Sequence, residues 1–201
     1  MAPRSLLCVL VVLAGAVPSA AQSVMISGFG GFRMGGGFIG ASNQVEYDLA
    51  NRASFGGTLD IATSKSFRIE FLFSRQLTEI AVDDWAYGPT LPLTVDVYQA
   101  GIMEEKGEGK GRAIGALLFG ATRFIPDAPG LQDQAHFSTS LMLGGKYLLS
   151  KNIALRADAR GIVTFVSGGG GAICGGGRCL VSFTGSTIFQ PEVTAGLTLA
   201  F

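Results

Sequence analysis

The chain is poor in the residues that build reactive centres. It has one histidine, one tryptophan and three cysteines among 201 residues. That leaves little material for a metal site, and no cofactor is expected. An excess of charge of either sign is also missing, since fifteen Lys and Arg balance fifteen Asp and Glu. Nucleic acid as a partner would call for a basic excess, so it is excluded. Charge itself is scarce, at 15% of residues, where soluble domains carry about 25%. Long apolar runs are lacking too. The longest, Leu6 to Val17, has twelve residues, short of the ~20 that a membrane-spanning helix needs. What the chain has is glycine, 30 residues of it, and 48% hydrophobic residues with a mean hydropathy of +0.40. Such a chain can bury enough apolar surface to fold, so disorder is not expected.

The first segment is built for export. Arg4 supplies the positive start, Leu6 to Val17 the apolar stretch, and Ser19-Ala20-Ala21 the small residues for cleavage before Gln22. Residues 1–21 therefore read as a secretory signal peptide. Cys8 lies inside the apolar stretch rather than at the cleavage site, so lipidation is not expected. Residues 22–201 are expected to form one domain.

That domain alternates. From Ile153 to Phe165 the odd positions are Ile153, Leu155, Ala157, Ala159, Gly161, Val163 and Phe165, while Arg156, Asp158 and Arg160 fall between them. A period of two is a strand with one apolar and one charged face. The same pattern sets Phe67, Ile69, Phe71 and Phe73 against Arg68 and Glu70, and Phe137, Leu141, Leu143 and Tyr147 against Ser138, Ser140 and Lys146. Such segments are predicted over 23–33, 53–63, 67–79, 94–106, 112–124, 136–149, 153–166 and 188–201. Short spacers, such as Ser64-Lys65-Ser66 and Ser150-Lys151-Asn152, alternate with long ones over 34–52, 80–93, 125–135 and 167–187. Short turns on one side and long loops on the other describe an up-and-down meander whose ends meet.

In a soluble barrel the apolar face turns inward; in a membrane barrel it turns to lipid around a polar lumen. Scarce charge and aromatics at strand ends, as at Phe137 and Tyr147, favour the second. Ten residues of tilted strand climb roughly 25 Å, the height of the apolar band. The expected fold is all-β, a closed eight-stranded antiparallel up-and-down transmembrane β-barrel.

A signal peptide, eight alternating segments and a terminal phenylalanine resemble the small OmpA/OmpX-like outer-membrane barrels. The stretch Gly144 to Arg156 is similar to the penultimate hairpin of that family. The resemblance implies that Leu197, Leu199 and Phe201 form the C-terminal signal read by the barrel-insertion machinery. It also implies a bacterial outer-membrane location, with lipid and lipopolysaccharide as surroundings.

Three local motifs stand out. Gly35 to Gly40 matches G-x-G-x-x-G by letters, but no helical period follows, so a flexible loop is expected. Cys174 and Cys179 are spaced C-x4-C in an exported chain, where a disulfide is the default reading and paired thiols or a metal ligand pair the alternatives. His136-Phe137-Ser138 resembles the H-x-S of outer-membrane lipid A deacylases, which implies a base beside a nucleophile. Phe137 facing lipid would turn both partners into the lumen, away from acyl chains. Such an enzyme is not expected.

Asp60, Arg68, Glu70, Arg123, Lys146, Arg156, Asp158 and Arg160 are the predicted inward charges. Inside a narrow barrel they would pair with one another. The long loops lean acidic and carry Trp85 and Tyr87, a surface for an unspecified ligand. The sequence thus points to a non-catalytic structural or surface-interaction barrel with an ion-paired lumen. A narrow small-solute, porin-like channel is the alternative, and a lipid A-modifying barrel the more distant one.

Overall fold

Alternating side chains leave each strand with a face to bury and two edges to pair, and closure into a ring satisfies every edge at once. The computed structural model describes residues 24–39, 46–84, 88–166, 171–175, 178–182 and 187–201. The expected signal peptide lies outside them. Twelve strands appear among these residues: β1 (Val24–Arg33), β2 (Gly36–Ile39), β3 (Glu46–Leu49), β4 (Arg52–Ala62), β5 (Phe67–Asp84), β6 (Gly88–Lys106), β7 (Gly111–Pro126), β8 (Gln134–Leu148), β9 (Ile153–Phe165), β10 (Gly171–Gly175), β11 (Arg178–Ser182) and β12 (Thr187–Ala200). Eight of them, β1, β4 to β9 and β12, form one closed antiparallel barrel. The seam is made by β1 against β12, from Met25 opposite Ala200 to Arg33 opposite Glu192.

The registers set the shape. From Val24 the path across strands runs through Ile61, Ile69, Ile102, Leu117, Leu141, Gly161 and Pro191. The Met34 amide then donates to the Pro191 carbonyl at 2.9 Å. One circuit climbs ten residues, from Val24 to Met34. Eight strands with that shear tilt by roughly 40° and leave an interior wide enough only for side chains.

Several strands run longer than the alternation predicts, and the described parts of three long spacers carry strand: β2 and β3, the extensions of β5 and β6, and β10 and β11. β5 and β6 stay paired from Phe67 opposite Glu104 to Ala81 opposite Thr90, where a loop over 80–93 was expected. Extending a hairpin keeps backbone groups bonded at no cost in register. On the β7 side β6 first pairs at Leu93, opposite Pro126. Pro89 and Pro92 stand on the stretch above, where a missing N–H blunts an exposed edge. Within the G-x-G-x-x-G stretch, Gly36–Ile39 is a strand rather than the expected loop, and Gly40 lies outside the described residues. β2 pairs with β3 in the register of β1 with β4, Gly36 facing Leu49 as Arg33 faces Arg52. β10 and β11 form a separate hairpin, with Cys174 and Cys179 as Cα partners.

The outer wall is apolar. Phe71, Leu143, Leu155, Leu197 and Leu199 are all exposed on it. Phe32, Phe55, Tyr98, Phe119, Phe137, Phe165 and Phe189 ring the long-loop end, and Phe67, Tyr147 and Phe201 the short-turn end. These are the two aromatic girdles of a lipid-facing band. The inside is not uniformly polar, as a membrane barrel was expected to be. Leu72, Val97, Met103, Ile114, Leu118, Met142 and Ile162 pack together along one side of it. A second apolar cluster, Leu49, Ile80, Leu91, Leu93, Val95, Phe124, Val166 and Ile188, closes the long-loop end.

Candidate functional site

The lumen is where the sequence-selected charges meet. Position parity aims Arg156, Asp158 and Arg160 inward from β9, and Arg68 and Glu70 from β5. Arg156 is the hub. Its Nη2 lies 2.7 Å from Glu70, its Nε 2.9 Å from Asp158 and its Nη1 3.4 Å from Asp60. Thr58 Oγ1 accepts a further bond from Nη1 at 3.1 Å. Below it, Lys146 Nζ sits 3.4 Å from Asp60 and 3.2 Å from Glu105, and Arg68 Nε 3.4 Å from Glu105. Above it, Arg160 Nη1 lies 3.0 Å from Glu192. Arg33 grips the same carboxylate through Nε at 3.0 Å and Nη2 at 2.9 Å. Ser74 Oγ lies between them, accepting from Arg33 at 2.5 Å and donating to Glu192 at 2.9 Å.

Followed in space, these groups form a ladder of alternating sign: Arg33, Glu192, Arg160, Glu70, Arg156, Asp60, Lys146, Glu105 and Arg68. With Arg112, 3.8 Å from Glu105, every barrel strand contributes a member. Burial makes the arrangement consequential, because a buried charge without its partner costs several kcal/mol. Arg33, Glu70, Asp60, Glu192 and Arg160 are buried to within a few per cent.

Arg123 is a correction. It was expected among the inward charges, but it follows Thr122, which is wholly buried, and so points the other way. It lies above the aromatic girdle, half exposed, and pairs with Asp133. Its register neighbour Asp96 lies on the same face of the wall but is buried there, bound by Arg75 through both oxygens at 2.7 and 2.6 Å. Conversely, sequence reading passed over Arg33, Glu105 and Glu192. Arg33 closes β1, where the alternation ends, and Glu192 is a lone carboxylate inside β12, but Arg33 opposite Glu192 follows once the first and last strands are paired.

Between ladder and cap lies a neutral polar layer. Gln99 Nε2 donates to Ser138 at 2.9 Å and Ser140 donates to Gln99 Oε1 at 2.6 Å. Thr122 and Thr164 share a bond of 2.9 Å. Ser138 is thus held by Gln99, while His136, its ring 6.0 Å from that of Phe124, has no partner at Nε2. The base–nucleophile pair implied by the lipid A deacylase resemblance is not assembled here. The groups His, Cys, Asp and Glu form no cluster able to hold a metal ion among the described residues.

The fold is similar to solved outer-membrane barrels. Neisserial surface protein A aligns with a TM-score of 0.62 at 13% identity, over 91% of this chain and 100% of that one. The N-terminal β-barrel domain of Pseudomonas aeruginosa OprF gives 0.47 at 10% identity, over 89% and 98%. The attachment invasion locus protein Ail of Yersinia pestis gives 0.43 at 10% identity, over 88% and 99%. No protein-family model and no curated protein matches the chain. The closed eight-stranded barrel expected from the OmpA/OmpX resemblance is the fold observed.

Proposed function

We propose that this protein is a structural or surface-interaction barrel of the bacterial outer membrane, without catalysis, whose lumen is shut. The reading rests on one observation above others: a ladder of alternating charge crosses the interior, with an apolar cluster packed over its upper end. A conducting path must keep water continuous, and neither paired guanidinium–carboxylate groups nor packed aliphatics leave room for it. What projects outward is hairpin: β2–β3, the upper half of β5–β6, and β10–β11. These are the surfaces on which a partner would be met. The exposed aliphatic wall between two aromatic girdles suits outer-membrane lipid and lipopolysaccharide, and Leu197, Leu199 and Phe201, all exposed on β12 and just after it, are available to the insertion machinery. Residues 1–21 would be removed on export. Cys174 and Cys179, directly opposed across a hairpin in an oxidising compartment, would form a disulfide.

Single-channel recording of the refolded protein in a planar bilayer tests the central claim. The expected result is no steady conductance; a steady open level would replace this reading with a narrow solute channel. That second reading has its own support. Arg160 Nη2 and Glu70 Oε1 are buried, 4.0 Å apart, and neither makes a hydrogen bond. Water between them would be the start of a path. For the cysteines, thiol labelling of the unfolded protein before and after reduction decides: labelling only after reduction is expected.

A further inference from the structure

The outer wall carries a feature that neither a structural role nor a closed lumen requires. A groove of about 720 Å³ opens on it, lined almost wholly by apolar atoms. Its floor follows one register line, on which Ala113, Gly145, Ala157 and Ala195 face one another across β7, β8, β9 and β12. Tyr147 and Leu155 form its lower bank. A tyrosine at this height marks the level of lipid headgroups. The groove ends at Gly111 and Arg112, at the short-turn rim.

A second cavity, of about 450 Å³, lies at that rim and shares Arg112 with the groove. It is polar, lined by Lys65, Ser66, Glu105, Lys106, Glu108 and Arg112. Its deepest carboxylate, Glu105, is already neutralised from behind by Lys146 and Arg68. Lys106 is paired with Glu104 at 2.7 Å. Counting these neighbours, and Asp60 that Lys146 also meets, five cations (Lys65, Arg68, Lys106, Arg112, Lys146) face four carboxylates (Asp60, Glu104, Glu105, Glu108). The rim between the two cavities is low, because Gly107, Gly109 and Gly111 carry no side chains and Gly107 and Gly109 take left-handed turns.

We propose that the two cavities form one amphipathic site, which holds a glycerophospholipid of the inner leaflet with an anionic headgroup. An acyl chain would lie in the groove, and the phosphate would meet Arg112, Lys106 and Lys65. Charge complementarity chooses the occupant, since each cation near the headgroup adds to the attraction for an anionic lipid. The inference rests on the wall facing lipid and is independent of whether the lumen conducts.

The test is native mass spectrometry of the full, detergent-solubilised barrel with dioleoylphosphatidylglycerol, dioleoylphosphatidylcholine or inorganic phosphate. Wild type is expected to retain the phosphatidylglycerol in preference, and phosphate in excess is expected not to displace it. Gly145→Leu fills the groove, and the fold can accept it: a Cβ there meets only the Arg112 carbonyl, at 3.4 Å. Ala157→Leu is the second such variant, in case the first fails to fold. Both should lose the two lipids alike. Lys65→Gln with Lys106→Gln should keep the phosphatidylcholine binding and lose the anionic preference, by about fivefold per cation. Equal retention of both lipids by wild type, or undiminished retention by the groove-filling variants, overturns the proposal. So does displacement by phosphate, which would leave only an anion site. A wild-type dimer that Gly145→Leu converts to monomer would instead assign the groove to a second copy. A barrel that enters vesicles yet shows no lipid preference refutes this site alone. One that does not enter vesicles takes the membrane reading with it.

Discussion

Two regions of the lumen are filled by opposite means. In its lower and middle parts Arg156 and its neighbours form a charged ladder whose rungs join different strands, apart from the Asp158 pairs within β9. At the long-loop end Ile80, Leu91, Val95, Phe124 and Ile188 simply pack. The cap is non-directional, and each residue contributes roughly what its buried area is worth. The ladder is not additive, because removing one rung leaves its partners charged, buried and short of a counter-charge. Both fill the interior, but only the ladder fixes which strand faces which, since opposite signs must meet. The cap tolerates exchange of one aliphatic for another of similar volume.

The largest effect should therefore come from the hub of the ladder. Arg156→Ala removes the cation that Asp60, Glu70 and Asp158 share and leaves them only Lys146 and the more distant Arg160, so a loss of about 3–5 kcal/mol is expected. Urea unfolding followed by the heat-modifiable gel shift measures it. A loss no larger than that of an exposed pair would break the distinction between the two seals.

Ile80→Ala in the cap should cost about 2–4 kcal/mol, by lost transfer energy plus the cavity left behind. Ile80→Leu should cost less than about 1.5 kcal/mol, as volume-conserving swaps do. The same denaturation series reads both. No equally mild exchange should exist for Arg156, and a lysine there that restored full stability would erase the contrast.

Conductance sharpens it further. Arg156→Ala is expected to produce brief openings in a planar bilayer, since the loosened carboxylates draw water between them. Ile80→Ala should stay silent, with the ladder intact beneath it. Steady openings in the cap variant alone would mean that the cap is the true seal.

The smallest effect is expected at Arg123. Its pair with Asp133 is half exposed, so Arg123→Ala should cost at most about 1 kcal/mol and fade with added salt. A loss approaching that of Arg156→Ala would return Arg123 to the lumen, against the parity of β7.

Arg123 also shows where reading a sequence stops. Its charge made it a candidate, but Ile114, Ala116 and Leu118 are the inward set on β7, and apolar residues lie on both faces of that strand. With no clean polar side, parity cannot tell in from out. On β9 the opposite holds. Arg156, Asp158 and Arg160 alternate with Leu155, Ala157 and Ala159, so the buried and exposed faces are legible without coordinates. The loops erred in the same way. Pro89 and Pro92 speak locally for a turn, while the hairpin they belong to is held by its partner strand, which no local rule contains.

What the sequence determines alone is everything that follows from a period of two. That covers the strand type, the count of eight barrel strands, the apolar wall and most of the charges turned inward. Side-chain direction in a strand is set by the backbone, so it is encoded one residue at a time. What only the tertiary structure decides is whatever depends on register. The ten-residue climb per circuit puts Arg33 beside Glu192, Arg156 beside Glu70 and Lys146 beside Glu105. The same registers line up Ala113, Gly145, Ala157 and Ala195 into a groove. These residues lie far apart in the chain, and no local preference says how far one strand slides along the next. Closure does, because the last strand must meet the first with its charges matched and its apolar face still outward.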